Sequence, residues 1–132
     1  MASSTRVFRG ACAVMGVYFL FATVVQINDP DALVWMALYG AAACVTLAAA
    51  WRTLPVWMPA TLAAIAALGA IALMPAAVES SFRELFESWQ MMSAGMEIGR
   101  ELLGLLILAA WMVVLTFHTN SRTAAPAGVA KG

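Results

Sequence analysis

Charge is what this chain has least of: 11% of its 132 residues are Asp, Glu, Lys or Arg, against 64% hydrophobic. A soluble domain of this size covers its core with a surface that is about a quarter or more charged, so a water-facing fold is excluded. The chain reads as one integral membrane domain. Histidine occurs once, at His118, far along the chain from the acids, which excludes a multi-histidine zinc site and a His-based triad. Cys12 and Cys44 show no Cys-x-x-Cys spacing, so redox and metal work are not indicated and both are expected to be small buried hydrophobes. No small-x-small cleavage site closes the first apolar stretch behind Arg6 and Arg9, so that stretch is read as a span and not as a signal peptide. No repeat is visible, no motif indicates a cofactor, and no nucleic-acid partner is expected.

What is there is apolar sequence in four runs. They predict membrane-spanning helices over about 10–27, 30–51, 56–78 and 97–117, an all-α integral membrane four-helix bundle. The tail, 118–132, is polar and short and is expected to be a disordered cytoplasmic extension. The last run poses a problem of length. From Leu102 to Phe117 the uninterrupted apolar stretch is sixteen residues, roughly 24 Å at 1.5 Å per residue, against a hydrocarbon core of about 30 Å. Either that helix is short, or Arg100 and Glu101 belong to it at the lipid boundary, where ionisable groups are costly and usually paired or functional.

Four spans put Arg6, Arg9, Arg52, Arg122 and Lys131 on one side with no acid. The positive-inside rule makes that side cytoplasmic, in a cell membrane and, for a bacterial chain, the inner one. The opposite side holds all seven carboxylates, Asp29, Asp31, Glu79, Glu84, Glu87, Glu97 and Glu101, with Arg83 and Arg100.

Two polar clusters on that side are the candidate site. The first is Gln26, Asn28, Asp29 and Asp31, followed by Trp35 and Tyr39. Asn28 or Asp29 would cap the second helix with Pro30 in its first position. Capping requires neither Gln26 nor the spacing of Asp31, Trp35 and Tyr39, which places all three on one helix face. The second cluster is Glu97, Arg100 and Glu101 at the start of the fourth helix, neighbours by helical spacing and able to pair internally. Gly99 and Gly104 would allow close helix approach there. Converging carboxylates would suit a hard cation such as Ca²⁺ or Mg²⁺, whereas Arg100 and two helix N-termini would suit an anionic group. Both options stand at this point.

Between the third and fourth spans, Ser81-Phe82-Arg83-Glu84 reads as a capping box opening a short amphipathic interfacial helix, with Phe82, Leu85, Phe86 and Trp89 at helical spacing. Met91, Met92 and Met96 are read as gap-fillers in preference to copper ligands.

Taken together the clusters resemble a known family. Gln26-Ile27-Asn28-Asp29-Pro30-Asp31-Ala32, with Val34-Trp35 and Tyr39 behind it, is similar to the hallmark of the transmembrane protein 220 family. Gly99-Arg100-Glu101-Leu102, with Gly104-Leu105 and Ala110-Trp111, resembles that family's second block. The resemblance covers the bundle and not the tails, and implies a small multi-pass membrane protein of bacteria and animals. It carries over no catalytic residue. It marks Asn28, Asp29, Pro30, Asp31, Trp35, Arg100, Glu101 and Trp111 as positions to follow; Met96, before Glu97, stands where the family pattern is more acidic.

The functional expectation is a non-enzymatic binding or accessory protein in the bilayer, with an outward-facing polar site for a small ligand, an ion or a partner membrane protein. The competing classes are a membrane-embedded enzyme using Glu101 or Asp31 as a general base, and a purely structural subunit. Channel activity is not expected of one copy, because no polar file runs through the cytoplasmic half.

Overall fold

In a bilayer the backbone of a spanning segment must satisfy its own hydrogen bonds, so apolar runs of this length become helices. A computed structural model describes residues 2–86 and 92–125, with side chains for 2–79 and 98–125. The helices are α1 (Ala2–Val25), α2 (Ala32–Trp51), α3 (Trp57–Phe86) and α4 (Met92–Ala124). Among the described residues there is no strand, and each helix contains a stretch long and apolar enough to cross a membrane: Ala2–Val25, Ala32–Trp51, Trp57–Glu79 and Ile98–Ala124. The chain is an all-α, multi-pass membrane protein.

Several boundaries differ from the sequence expectation, each for a local reason. α1 begins eight residues before the expected start at residue 10, because no Gly or Pro interrupts 2–9 and Gly10 within the helix costs only about 1 kcal/mol. α2 starts at Ala32, with Asp31 in the N-cap position making no side-chain cap bond. Pro30 therefore lies before the cap and not in the first helical position. No separate helix opens at Ser81; residues 81–86 are helical but continuous with α3, which carries Pro75 internally and meets no further Pro or Gly before its end. The rest of the expected interfacial helix, Trp89 included, lies outside the described residues, as do the side chains of Phe82, Leu85 and Phe86. α4 is not confined to 97–117. It runs through Ala124, because the first residue that cannot continue it is Pro126.

The helices pack as two antiparallel hairpins, α1 on α2 and α3 on α4, joined along a seam in which α2 and α4 run parallel. Small residues set these approaches. A Cβ on Gly16 would collide with Leu47, binding α1 to α2, and one on Gly69 would lie 3.2 Å from Leu105, binding α3 to α4. Ala42, Ala43, Ala49 and Ala50 of α2 and Ala63, Ala66 and Ala70 of α3 are buried in the same way. Phe19, Leu108, Met112 and Leu115 fill the remaining core.

Large apolar side chains such as Val7, Leu33, Ile71 and Phe117 face outward. That arrangement suits lipid, which is as apolar as the core. Cys12 is buried as expected, whereas Cys44 is exposed on the outer face of α2. Hydroxyls inside the spans donate to their own helices: Thr23 to Phe19 O at 2.8 Å, Thr61 to Trp57 O at 2.6 Å and Thr116 to Met112 O at 2.7 Å. Each such bond spares a polar group from facing hydrocarbon alone.

The two ends of the bundle differ in charge. Arg6 and Arg9 of α1, Arg52 after α2 and Arg122 of α4 share one end, where Phe8 and His118 stack with ring centroids 3.6 Å apart. Asp29, Asp31, Glu79, Arg100 and Glu101 share the other.

Candidate functional site

At the acidic end the chain must turn from α1 to α2 within six residues, 26–31. The last turn of α1 tightens, with Gln26 N donating to Thr23 O at 3.4 Å and Ile27 N to Val24 O at 3.3 Å. Asp29 N then donates to Gln26 O at 3.0 Å, and Ala32 N to Asp29 O at 3.2 Å. Gln26 and Asp29 are thereby held within one tight turn, directly above the seam between α2 and α4.

Gln26 is 7% exposed, and its Oε1 is buried without a hydrogen-bond partner. Asp29 Oδ2 is likewise buried and accepts no hydrogen bond, although an Arg100 Nη lies 3.6 Å from it. That distance makes an ion pair, because it is longer than a charge-assisted hydrogen bond. The pair is lopsided: the Asp29 side chain is 19% exposed and the Arg100 side chain 62%. Asn28 is exposed on the turn.

Asp31, Trp35 and Tyr39 share one face of α2, as their spacing predicts, and that face turns inward as it descends. Trp35 Nε1 donates to Asp31 Oδ2 at 3.1 Å. Trp35 and Tyr39 are buried, their ring centroids 6.2 Å apart, and the Tyr39 ring lies 6.4 Å from that of Phe19. The two aromatics are thus packed core, and of the three residues Asp31 alone is exposed.

Opposite them, α4 brings Arg100, Glu101 and Gly104. Both charged residues lie inside α4, within the apolar stretch Ile98–Ala124 that is long enough to cross a membrane, so the helix is not confined to the sixteen apolar residues. Tyr39 packs onto Gly104 so closely that a Cβ there would collide with the hydroxyl and stand 3.2 Å from Cζ. Gly104 performs the close approach expected of it; Gly99 has nothing within 4 Å of its Cβ direction and does not. Glu101 is half-buried and engaged in an interaction of its own. The Glu97 side chain lies outside the described residues.

The structure therefore joins Asp29 to Arg100 and Tyr39 to α4, and leaves Asp31 bonded along its own helix. No three of His, Cys, Asp and Glu gather in one place among the described residues. A bond that sequence reasoning missed continues the same seam: Trp111 Nε1 donates to Thr46 Oγ1 at 3.0 Å, with Thr46 fully buried. Thr46 and Trp111 are 65 positions apart, as are Tyr39 and Gly104 (104 − 39 = 65). α2 and α4 are thus in constant register over two turns, and a lone Thr in the most apolar helix was the signal that could have revealed it.

A family model described as "Transmembrane family 220, helix" matches residues 18–117, a stretch that includes both polar clusters and the Thr46–Trp111 bond. No solved structure matches the chain.

Proposed function

Because the chain belongs to transmembrane family 220, a family of integral membrane proteins, we propose that it works as a non-enzymatic binding or accessory protein of the bilayer. Its site is the turn and seam at the acidic end. The observation that carries this reading is the mismatch of hydrogen-bonding groups there. Gln26 Oε1 and Asp29 Oδ2 are buried acceptors with no donor, and an unsatisfied buried acceptor costs about 1–3 kcal/mol. Beside them the Arg100 guanidinium, mostly exposed, contacts Asp29 only at ion-pair distance.

A ligand or partner group carrying hydroxyl or ammonium donors would satisfy the two oxygens, and any anionic part of it would meet Arg100. A dense cation cage is less well supported, because Arg100 neutralises Asp29 and Trp35 occupies Asp31. The enzymatic alternative finds less support as well: a boundary base works by desolvation, whereas Asp31 is exposed and hydrogen-bonded and the half-buried Glu101 is already engaged in an interaction. The structural-subunit reading draws on the Asp31–Trp35 bond, which needs nothing from outside. In the proposed orientation the arginine-rich end is cytoplasmic and the site faces outward.

Gln26→Leu tests the proposal, because it replaces the buried amide by an apolar group of similar volume. If Gln26 holds a bound group, the variant purified in lipid nanodiscs loses a mass that the wild-type protein carries in native mass spectrometry, and its melting temperature does not rise. A more stable variant beside a wild-type protein that is equally bare would refute the reading.

A further inference from the structure

The opposite end of the bundle carries its own unspent chemistry. Arg6, Arg9, Arg52 and Arg122 are all exposed there, and no acid pairs with any of them among the described residues. Arg6 and Arg122 are ordinary flanking charges, but Arg9 is built in. Its Nε donates to Ala50 O at 3.1 Å, a carbonyl in the last turn of α2, where helical acceptors lack an intrahelical donor. Its guanidinium also lies over the Trp51 ring, 5.0 Å from the centroid, within the range of a cation–π contact.

These two contacts fix the plane of the group and use one of its five N–H donors, leaving the four on its terminal nitrogens. Arg52 follows Trp51 directly, and its side chain makes no bond among the described residues. Trp51 is 74% exposed. The fixed guanidinium therefore stands at the edge of outward-facing apolar surface, at the level where Trp residues mark the membrane interface.

We infer that Arg9 and Arg52, framed by Trp51, bind the phosphate of an anionic phospholipid headgroup. A phosphate oxygen pair matches the fork of a planar guanidinium, and the second arginine supplies the additional positive charge that distinguishes an anionic lipid from a zwitterionic one. The adjoining apolar flank takes the acyl chains, which is why a lipid fits better than a free phosphate ion. This site is independent of the acidic-end site, lying at the other end of the helices.

The test is native mass spectrometry of the full chain in detergent, titrated separately with phosphatidylglycerol, phosphatidylcholine and inorganic phosphate. Phosphatidylglycerol should bind in preference to phosphatidylcholine, and inorganic phosphate should not displace it. Arg52→Gln loses the second charge and should weaken phosphatidylglycerol binding about fivefold, the worth of one basic contact at an anionic surface; Arg9→Lys keeps the charge but loses the planar fork, and should weaken it as well. Arg6→Gln and Arg122→Gln should leave it unchanged. Equal binding of both lipids, displacement by inorganic phosphate, or equal losses from all four arginine variants would overturn the assignment. If Arg9→Lys does not fold, Arg52→Gln decides alone, since the fold makes no use of that side chain.

Discussion

Tyr39 and Gly104 show how much a single residue decides in this seam. A methyl group at position 104 has no room below the Tyr39 hydroxyl, and overpacking of this kind costs about 1–3 kcal/mol. Gly104→Ala should therefore destabilise the bundle by that amount in a thermal or denaturant melt in detergent. Adding Tyr39→Phe, which removes the colliding oxygen, should recover most of the loss. One turn pair further along, Thr46→Val should cost about 0.5–1.5 kcal/mol, the range for hydrogen bonds between membrane helices, and Trp111→Phe should add little once Thr46 is gone. Additive losses in that double-mutant cycle would mean that the two side chains do not act as a pair. The spacing of Asp31, Trp35 and Tyr39 on one face was legible in the sequence. Its inward direction was not, because helical periodicity in lipid does not distinguish a core-facing aromatic from one anchored at the interface.

At the scale of elements, four spans could be read directly from apolar run length, which in a membrane is almost the whole determinant of helix existence. Their ends could not. Hydropathy stops where charge begins, whereas a helix continues until its backbone is blocked; so α3 continues past the polar residues at 79–81, and α4 runs to Ala124 past His118. The extra two turns of α4 are anchored. Phe8 stacks on His118, Thr119 is buried and Thr123 donates to Thr119 O at 3.0 Å. Deleting 118–132 should therefore lower stability by roughly the 0.5–1.5 kcal/mol of an aromatic stack plus lost packing, read as a lower melting temperature. Deleting 126–132 should not change it. If the two truncations melt alike, the last turns of α4 contribute nothing and the domain ends near Phe117.

Across the whole molecule, two well-packed hairpins meet through narrower contacts of α2 with α3 and with α4, and α4 touches the first hairpin at both ends and in the middle. Arg100–Asp29 and Tyr39–Gly104 join them at the acidic end, Thr46–Trp111 in the middle, and Phe8 of α1 stacks on His118 at the basic end. Division of charge between the ends was visible in the sequence as an alternation of acidic and basic turns. The partnership of Asp29 with Arg100 was not, because it joins residues 71 positions apart (100 − 29 = 71) and each had a nearer candidate: a cap for Asp29 and a helical neighbour for Arg100.

Whether that ion pair braces the seam or serves a bound group is the central question, and exchanging its charges answers it. The full chain with Asp29→Arg and Arg100→Asp together, compared with each single substitution and the wild-type protein, should be measured in lipid nanodiscs by melting and by native mass spectrometry. The proposed site predicts that the exchange recovers the stability lost in Arg100→Asp, where an unpaired carboxylate would face the buried Asp29, while the mass bound to the wild-type protein stays absent. An exchanged protein that keeps the bound mass, or a wild-type protein that carries none, would contradict it and leave Asp29–Arg100 as a brace between hairpins.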